Sequence, residues 1–252
     1  MIQDFFTGLQ FLTRLRLVRQ DDWSPAGFGR SVKFFPLVGA VIGLVLAGTG
    51  WLGANLLPPH VLGAVLVLAW VMVTGGLHCD GLMDTMDGVF SGRDRERMLE
   101  IMKDSRVGAN GVVAFVLTYL LKWSLLVDLP VPMLVPALFT APVAARMAMV
   151  MAISAFAYAR PDGMGKAFAV YAGRPTQIFA VLSAALLLAP LGWPAVAGGV
   201  SAALFALLFG RYVSCRLGGL TGDVYGAVAE LSEVVVLVAF AVWAMTMGME
   251  SF

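Results

Sequence analysis

Long apolar stretches alternate with short polar ones along most of this chain. Apolar runs cover roughly 34–57, 61–77, 109–129, 132–156, 176–193, 195–214 and 231–249. A membrane-crossing helix needs about 20 mostly apolar residues, so the pattern predicts an all-α, polytopic transmembrane bundle of about seven spans. Several runs carry small residues, Gly39, Gly43, Gly48, Gly198 and Gly199 among them, which let helices approach closely. Pro58-Pro59 and Leu191-Gly192-Trp193-Pro194 mark tight reversals between neighbours. Ahead of the first run, residues 1–19 set Ile2, Phe5, Phe6, Leu9, Leu12, Leu15 and Leu17 among polar positions, with an early Asp4. That is an amphipathic pattern rather than a signal peptide, and it predicts a helix lying on the membrane surface.

Composition agrees. Of 252 residues, 60% are hydrophobic and 13% charged, whereas soluble domains carry about 25% charged residues. The chain reads as one integral membrane domain over 1–252, with an interfacial segment at 1–33 and the bundle at 34–249. A net charge of +1 gives no electrostatic case for nucleic acid. Two cysteines, Cys79 and Cys215, make neither a disulfide framework nor a Cys-x-x-Cys metal site.

The basic residues fall on alternate sides of the spans. Arg14, Arg16, Arg19, Arg30 and Lys33 precede the first run; Arg93, Arg95, Arg97, Lys103 and Arg106 separate the second from the third. Arg160, Lys166 and Arg174 lie between the fourth and fifth, and Arg211 and Arg216 close the sixth. The connections at 58–60, 130–131 and 193–194 and the C-terminal tail carry none. The positive-inside rule then puts the N-terminus in, the C-terminus out, and the polar segments together on the cytoplasmic face. Lys122 and Arg146 remain inside spans. Lys122 is expected to snorkel, while for Arg146 a phosphate-facing role and a structural ion pair both stay open.

Three polar segments carry candidate chemistry. In Gly76-Leu77-His78-Cys79-Asp80-Gly81-Leu82-Met83-Asp84-Thr85-Met86-Asp87-Gly88, the carboxylates of Asp80, Asp84 and Asp87 are spaced i, i+4, i+7 and share one helix face. Such a like-charge cluster in so apolar a chain calls for a cation, and Mg²⁺ suits it. His78 points away from that face. Residues 93–100 read as a solvated, salt-bridged surface, whereas Lys103-Asp104-Ser105-Arg106-Val107-Gly108 and Asn110 form a basic turn able to meet phosphate oxygens. The second segment, 157–175, holds Arg160-Pro161-Asp162-Gly163-Met164-Gly165-Lys166, a turn that reads as a connecting loop or a substrate-lining one. The third, 216–233, has a glycine-rich turn followed by Asp223, Glu230 and Glu233. These acids predict a second acidic cluster at the cytoplasmic start of the last span.

These motifs resemble those of the cobalamin synthase (adenosylcobinamide-GDP ribazoletransferase) family. The likeness rests on 75–88, on Ile101-Met102-Lys103-Asp104-Ser105-Arg106-Val107-Gly108 and on Gly219-Leu220-Thr221-Gly222-Asp223-Val224-Tyr225-Gly226. Phe11-Leu12-Thr13-Arg14 and Phe35-Pro36-Leu37-Val38-Gly39 extend it. The resemblance implies a Mg²⁺-dependent, multi-pass enzyme of the bacterial cytoplasmic membrane. It would join adenosylcobinamide-GDP to α-ribazole or its 5′-phosphate and release GMP. Asp80, Asp84 and Asp87, with Glu230 and Glu233, are then the expected metal ligands. Lys103 and Arg106 are expected on phosphate oxygens, and Asp104 or Asp223 as proton acceptor. His78, Asn110, Arg146, Thr221 and Tyr225 are expected to contact substrate. Homo-oligomerisation and docking with other enzymes of the pathway stay open.

Three rivals are weaker. Asp84-Thr85-Met86-Asp87-Gly88 matches the opening of the CDP-alcohol phosphotransferase signature, but the continuation fails. Asp80-x-x-x-Asp84 loosely matches the diphosphate motif of membrane prenyltransferases. A transporter would place its site near the midplane between repeated halves, and no internal repeat is evident.

Overall fold

Apolar runs become helices here, and glycine and proline set where they stop. The computed structural model describes residues 1–20 and 23–249, and twelve α-helices occur among them. They are α1 (Ile2–Leu12), α2 (Pro25–Ser31), α3 (Phe35–Gly53), α4 (Pro59–Thr74), α5 (Leu77–Val89) and α6 (Arg95–Ile101). There follow α7 (Ala109–Asp128), α8 (Val131–Ala155), α9 (Met164–Tyr171), α10 (Arg174–Leu188), α11 (Trp193–Leu217) and α12 (Gly222–Thr246). The tail residues 250–252, expected on the side opposite the N-terminus, lie outside the described residues, as do 21–22 of the interfacial segment.

Six helical runs are long and apolar enough to cross a membrane: Pro25–Gly53, Ala109–Asp128, Val131–Ala155, Arg174–Leu191, Trp193–Leu217 and Gly222–Thr246. The protein is therefore a multi-pass membrane bundle. The expected span at 61–77 is broken. α4 and α5 meet at 93° across Gly75-Gly76, both at φ +68°, a left-handed conformation that side chains resist. α5 leaves α4 at close to a right angle and packs against α12 and α7. The aspartate helix is thus a shelf on the bundle rather than the mouth of a span.

The last span also departs from expectation. It begins at Gly222 rather than near 231, with the Thr221 side chain accepting from the Val224 N–H as its cap. Glu230 and Glu233 therefore sit inside the helix and inside the bundle, because partners described below neutralise them.

α8 is the central helix, touching α3, α10, α11 and α12, and α12 in turn lies on α5 and α7. Pro136 and Pro142 interrupt the α8 ladder, which is tolerable in a helix surrounded by other helices. The outer surface is apolar, with Leu44, Met72, Leu120, Leu186 and Leu208 exposed as a lipid-facing surface requires. The N-terminal helix is shorter than the amphipathic pattern, ending at Leu12. Its Leu9 and Leu12 are buried against protein, packed on α2 and α3, and Asp4 accepts from Arg30 Nε at 3.0 Å. Arg14 then ties this segment to the end of α4, its N–H bonding the Val73 carbonyl at 2.8 Å.

Candidate active site

The polar segments meet in a cavity of about 290 Å³ at the end of the bundle. Its walls are Leu77, His78, Asp80 and Gly81 from the start of α5, and Tyr158, Arg160, Gly163, Met164 and Gly165 from the turn into α9. Gly222, Asp223, Tyr225 and Gly226 come from the start of α12, with Phe11, Met149 and Phe168 closing the rest. Three helix N-termini thus border one space. The first N–H groups of a helix lack intrahelical partners and carry partial positive charge, so they favour an anion. Gly76 and Gly163 cap α5 and α9 without a side chain in the way. Arg160 adds a full cation, paired with Asp223 at 2.9 Å.

Long-range backbone bonds hold these pieces in place. Leu220 N–H bonds the Ala157 carbonyl and Ala159 N–H bonds the Leu220 carbonyl, each at 2.8 Å, bridging the 157–159 strip to the turn before α12. Arg95, expected on a solvated face, instead donates Nε to the Leu217 carbonyl at 2.7 Å and Nη2 to Ala159 at 3.3 Å. It clamps both sides of that bridge. Gly81 lets α5 and α12 touch: a Cβ there would lie 2.7 Å from the Asp223 carbonyl oxygen, which is backbone and cannot swing aside. Gly81→Ala is expected to push α5 off α12 and to cost about 1–3 kcal/mol in stability, read by thermal unfolding in detergent. An unchanged midpoint would show that the contact is slack.

The three aspartates do not act alike. Asp80 is exposed at the cavity wall. Asp87 is only 8% exposed, and its two oxygens accept the Gly108 and Gly111 N–H groups at 2.7 and 2.8 Å. It caps the start of α7, which satisfies both its oxygens without a metal. Asp84 is half-buried, and burial together with the Asp80 and Asp223 carboxylates pushes it up to about 7. Among the described residues, no three His, Cys, Asp or Glu side chains converge as ready-made metal ligands. The crowding at Asp84 nonetheless fits a cation: hard carboxylate oxygens raise one another's proton affinity until positive charge relieves them.

Glu230 and Glu233, expected as metal ligands, belong to a different structure. Lys122 Nζ lies 2.9 Å from Glu230 and 2.8 Å from Glu233, and Arg146 Nη1 also bonds Glu233. All four are at most 1% exposed. Two cations face two anions, so the cluster is balanced without a metal. Lys122 does not snorkel; its ammonium sits 4.6 Å from the Trp70 ring centroid and 4.8 Å from that of Tyr119. Tyr119 joins by donating to Glu230 at 3.1 Å, with Cys79 Sγ 3.0 Å from its hydroxyl. Arg146 reaches from here to His78 Nδ1, at 3.2 Å from Nη2. The cluster therefore backs directly onto the cavity wall.

The remaining expected residues divide. Thr221 donates to Asp223 at 3.2 Å, and Tyr225 lines the cavity with a buried hydroxyl that has no partner among the described residues. Asp104 and Arg106 instead pair with each other at 2.6 Å on an exposed turn, where the guanidinium holds the Asp104 carboxyl down to about 2. Neither lines the cavity, nor does exposed Lys103. Asn110 donates to the Phe90 carbonyl at 3.2 Å and ties α7 to the end of α5. Sequence reasoning gave no role to Tyr158 and left Arg160 in an ambiguous loop. The available signal was a basic residue beside Gly163 and Gly165 on the same side as the aspartates.

The bundle and its cavity define a multi-pass membrane protein with one cavity where three helix N-termini, Arg160, Asp80 and Asp223 meet. The chain belongs to the cobalamin-5-phosphate synthase family, whose model matches residues 4–241. An adenosylcobinamide-GDP ribazoletransferase of Desulfitobacterium hafniense is 41% identical over 248 residues, 94% of this chain and 95% of that protein. One of Roseiflexus is 42% identical over 233 residues, 91% of this chain and 86% of that protein. A third, from Clostridium acetobutylicum, is 33% identical over 230 residues, 89% and 90% of the two chains. No solved structure matches the chain.

Proposed function

We propose that this protein transfers the phosphocobinamide group of adenosylcobinamide-GDP to a ribose hydroxyl that α-ribazole and its 5′-phosphate both keep free, releasing GMP. The observation that carries the reading is the meeting of three helix N-termini with Arg160 around one cavity, in a chain of this family. A diphosphate is the part of the donor such a cavity suits. The ribose hydroxyl oxygen attacks the phosphorus nearer cobinamide, a new P–O bond forms, and the bridging P–O bond breaks with its electron pair leaving on GMP. Catalysis of this step is mostly positioning and charge neutralisation.

Arg160 lies at the cavity and is the cation we assign to the diphosphate; Lys103 and Arg106 lie outside it and are left for approach of the substrate. Asp223, which lines the cavity with Asp80, is our choice for the hydroxyl proton, in place of Asp104, which lies outside the cavity. Asp80 and Asp84 would hold Mg²⁺, which would supply a Lewis acid to the diphosphate oxygens. The side of the bundle that carries the cavity is the one rich in Lys and Arg. On that basis we assign the site to the cytoplasmic face of the bacterial inner membrane.

The test is direct. Purified protein in detergent, given adenosylcobinamide-GDP, α-ribazole and Mg²⁺, is expected to form adenosylcobalamin and GMP in equal amounts, read by mass. Absence of both products would overturn the proposal, and release of GDP, from cleavage at the carbon end of the diphosphate, would favour a prenyltransferase-like reaction instead.

A further inference from the structure

We infer that His78 is a hydrogen-bond donor to the departing phosphate, presented in a single tautomer by the buried ion cluster behind it. The inference rests on the cavity being the diphosphate site. Arginine has only N–H donors, so His78 Nδ1, 3.2 Å from Arg146 Nη2, must be the acceptor of that bond. The ring proton of the neutral imidazole is then on Nε2. Glu233 fixes Arg146 from the other side, and Lys122 fixes Glu233 at 2.8 Å, so neither guanidinium nor ring is free to turn.

Nε2–H is therefore a buried donor, and it has no partner among the described residues. A buried donor left unpaired costs free energy, and native interiors seldom tolerate it without cause. His78 is 2% exposed and lines the cavity beside Asp80 and Asp223. The ligand the cavity suits, a diphosphate, brings acceptor oxygens. As the bridging bond breaks, negative charge grows on the GMP phosphate, and a fixed donor stabilises that charge more than it stabilises the bound substrate. No proton need move: the donor shares its hydrogen and GMP leaves as the anion. Arg146 and Glu233 are positioning residues in this scheme, acting only through the ring.

Two substitutions separate the donor from the acceptor. Glutamine places an amide N–H donor near the position of Nε2 but offers Arg146 little. Asparagine keeps an acceptor near the position of Nδ1 and loses the donor. We expect His78→Gln to stay within about tenfold of wild-type kcat. His78→Asn should fall by on the order of 10²–10³ with KM little changed, as for loss of one oxyanion donor. The opposite ranking, or equal kcat in the two variants, would overturn the inference and leave the proposed reaction standing, provided wild type makes product. If wild type makes none, the underlying reading fails instead.

A second measurement needs no active-site variant. The chain has two histidines, His60 and His78, so ¹⁵N-histidine labelling gives a spectrum that His60→Gln assigns. We expect the His78 ring as the Nε2–H tautomer, with its Nε2–H resonance moving as GMP is added. An Nδ1–H tautomer, or no movement at saturating GMP, would overturn the inference.

Discussion

Glu233→Gln should destabilise the protein by about 3–5 kcal/mol, the usual cost of removing one partner from a buried ion pair. Glu233 is fully buried and takes both Lys122, at 2.8 Å, and Arg146. Glutamine keeps the shape but removes the charge, so two buried cations then face Glu230 alone. The loss is expected to exceed that of any exposed pair, such as Arg97 with Glu100 at 2.8 Å, where water screens both groups. Unfolding in detergent micelles checks this, and a wild-type midpoint would show that the cluster carries no stability. A double variant tests the cause. Adding Arg146→Met to Glu233→Gln restores the charge balance, so its loss should be smaller than the sum of the single losses. Simple addition would mean that the two side chains act independently.

That cluster also shows where sequence reasoning stopped. Apolar runs of about 20 residues located the crossing helices, because a span is apolar toward lipid as well as toward its neighbours. The alternation of Lys and Arg grouped the polar segments on one side, and those segments do meet at the cavity. Pairing across the fold has no such local signature. Lys122 finds Glu230 and Glu233 at separations of 108 and 111 residues, so nothing near Lys122 announced its partners. Without them, Glu230 and Glu233 read as a polar lead-in and pushed the predicted start of the last span too far along. Helix spacing placed Asp80, Asp84 and Asp87 on one face, and Asp87 nevertheless turns to cap α7 because that helix starts beside it. Which carboxylates share a cavity depends on the 93° bend at Gly75-Gly76, and a glycine pair signals a turn but not its angle. Arg160 needed the Ala157–Leu220 bridge before it faced Asp223.

Asp84→Asn should cut turnover by on the order of 10³-fold, the equivalent of several kcal/mol of metal-derived charge stabilisation. The same change should leave the unliganded protein as stable as wild type, or more so. Burial and the neighbouring Asp80 and Asp223 hold Asp84 up to about 7, well above its ordinary value. A carboxyl whose folded value is raised costs stability from the ordinary carboxylate value upward, in full above its folded value, and a neutral amide carries no such cost at any pH. Activity and stability therefore move in opposite directions, as they do where a site holds strain for function. Misfolding would lower both, so the pair of readings separates a lost ligand from a damaged fold. Asp87→Asn is the control. It weakens the cap on α7, at a cost of about 1 kcal/mol, and the Mg²⁺ concentration giving half-maximal turnover should stay where it was. If Asp84→Asn turns over near the wild-type rate, or if Asp87→Asn shifts the Mg²⁺ dependence as strongly, the metal is not held where Asp80, Asp84 and Asp223 crowd together.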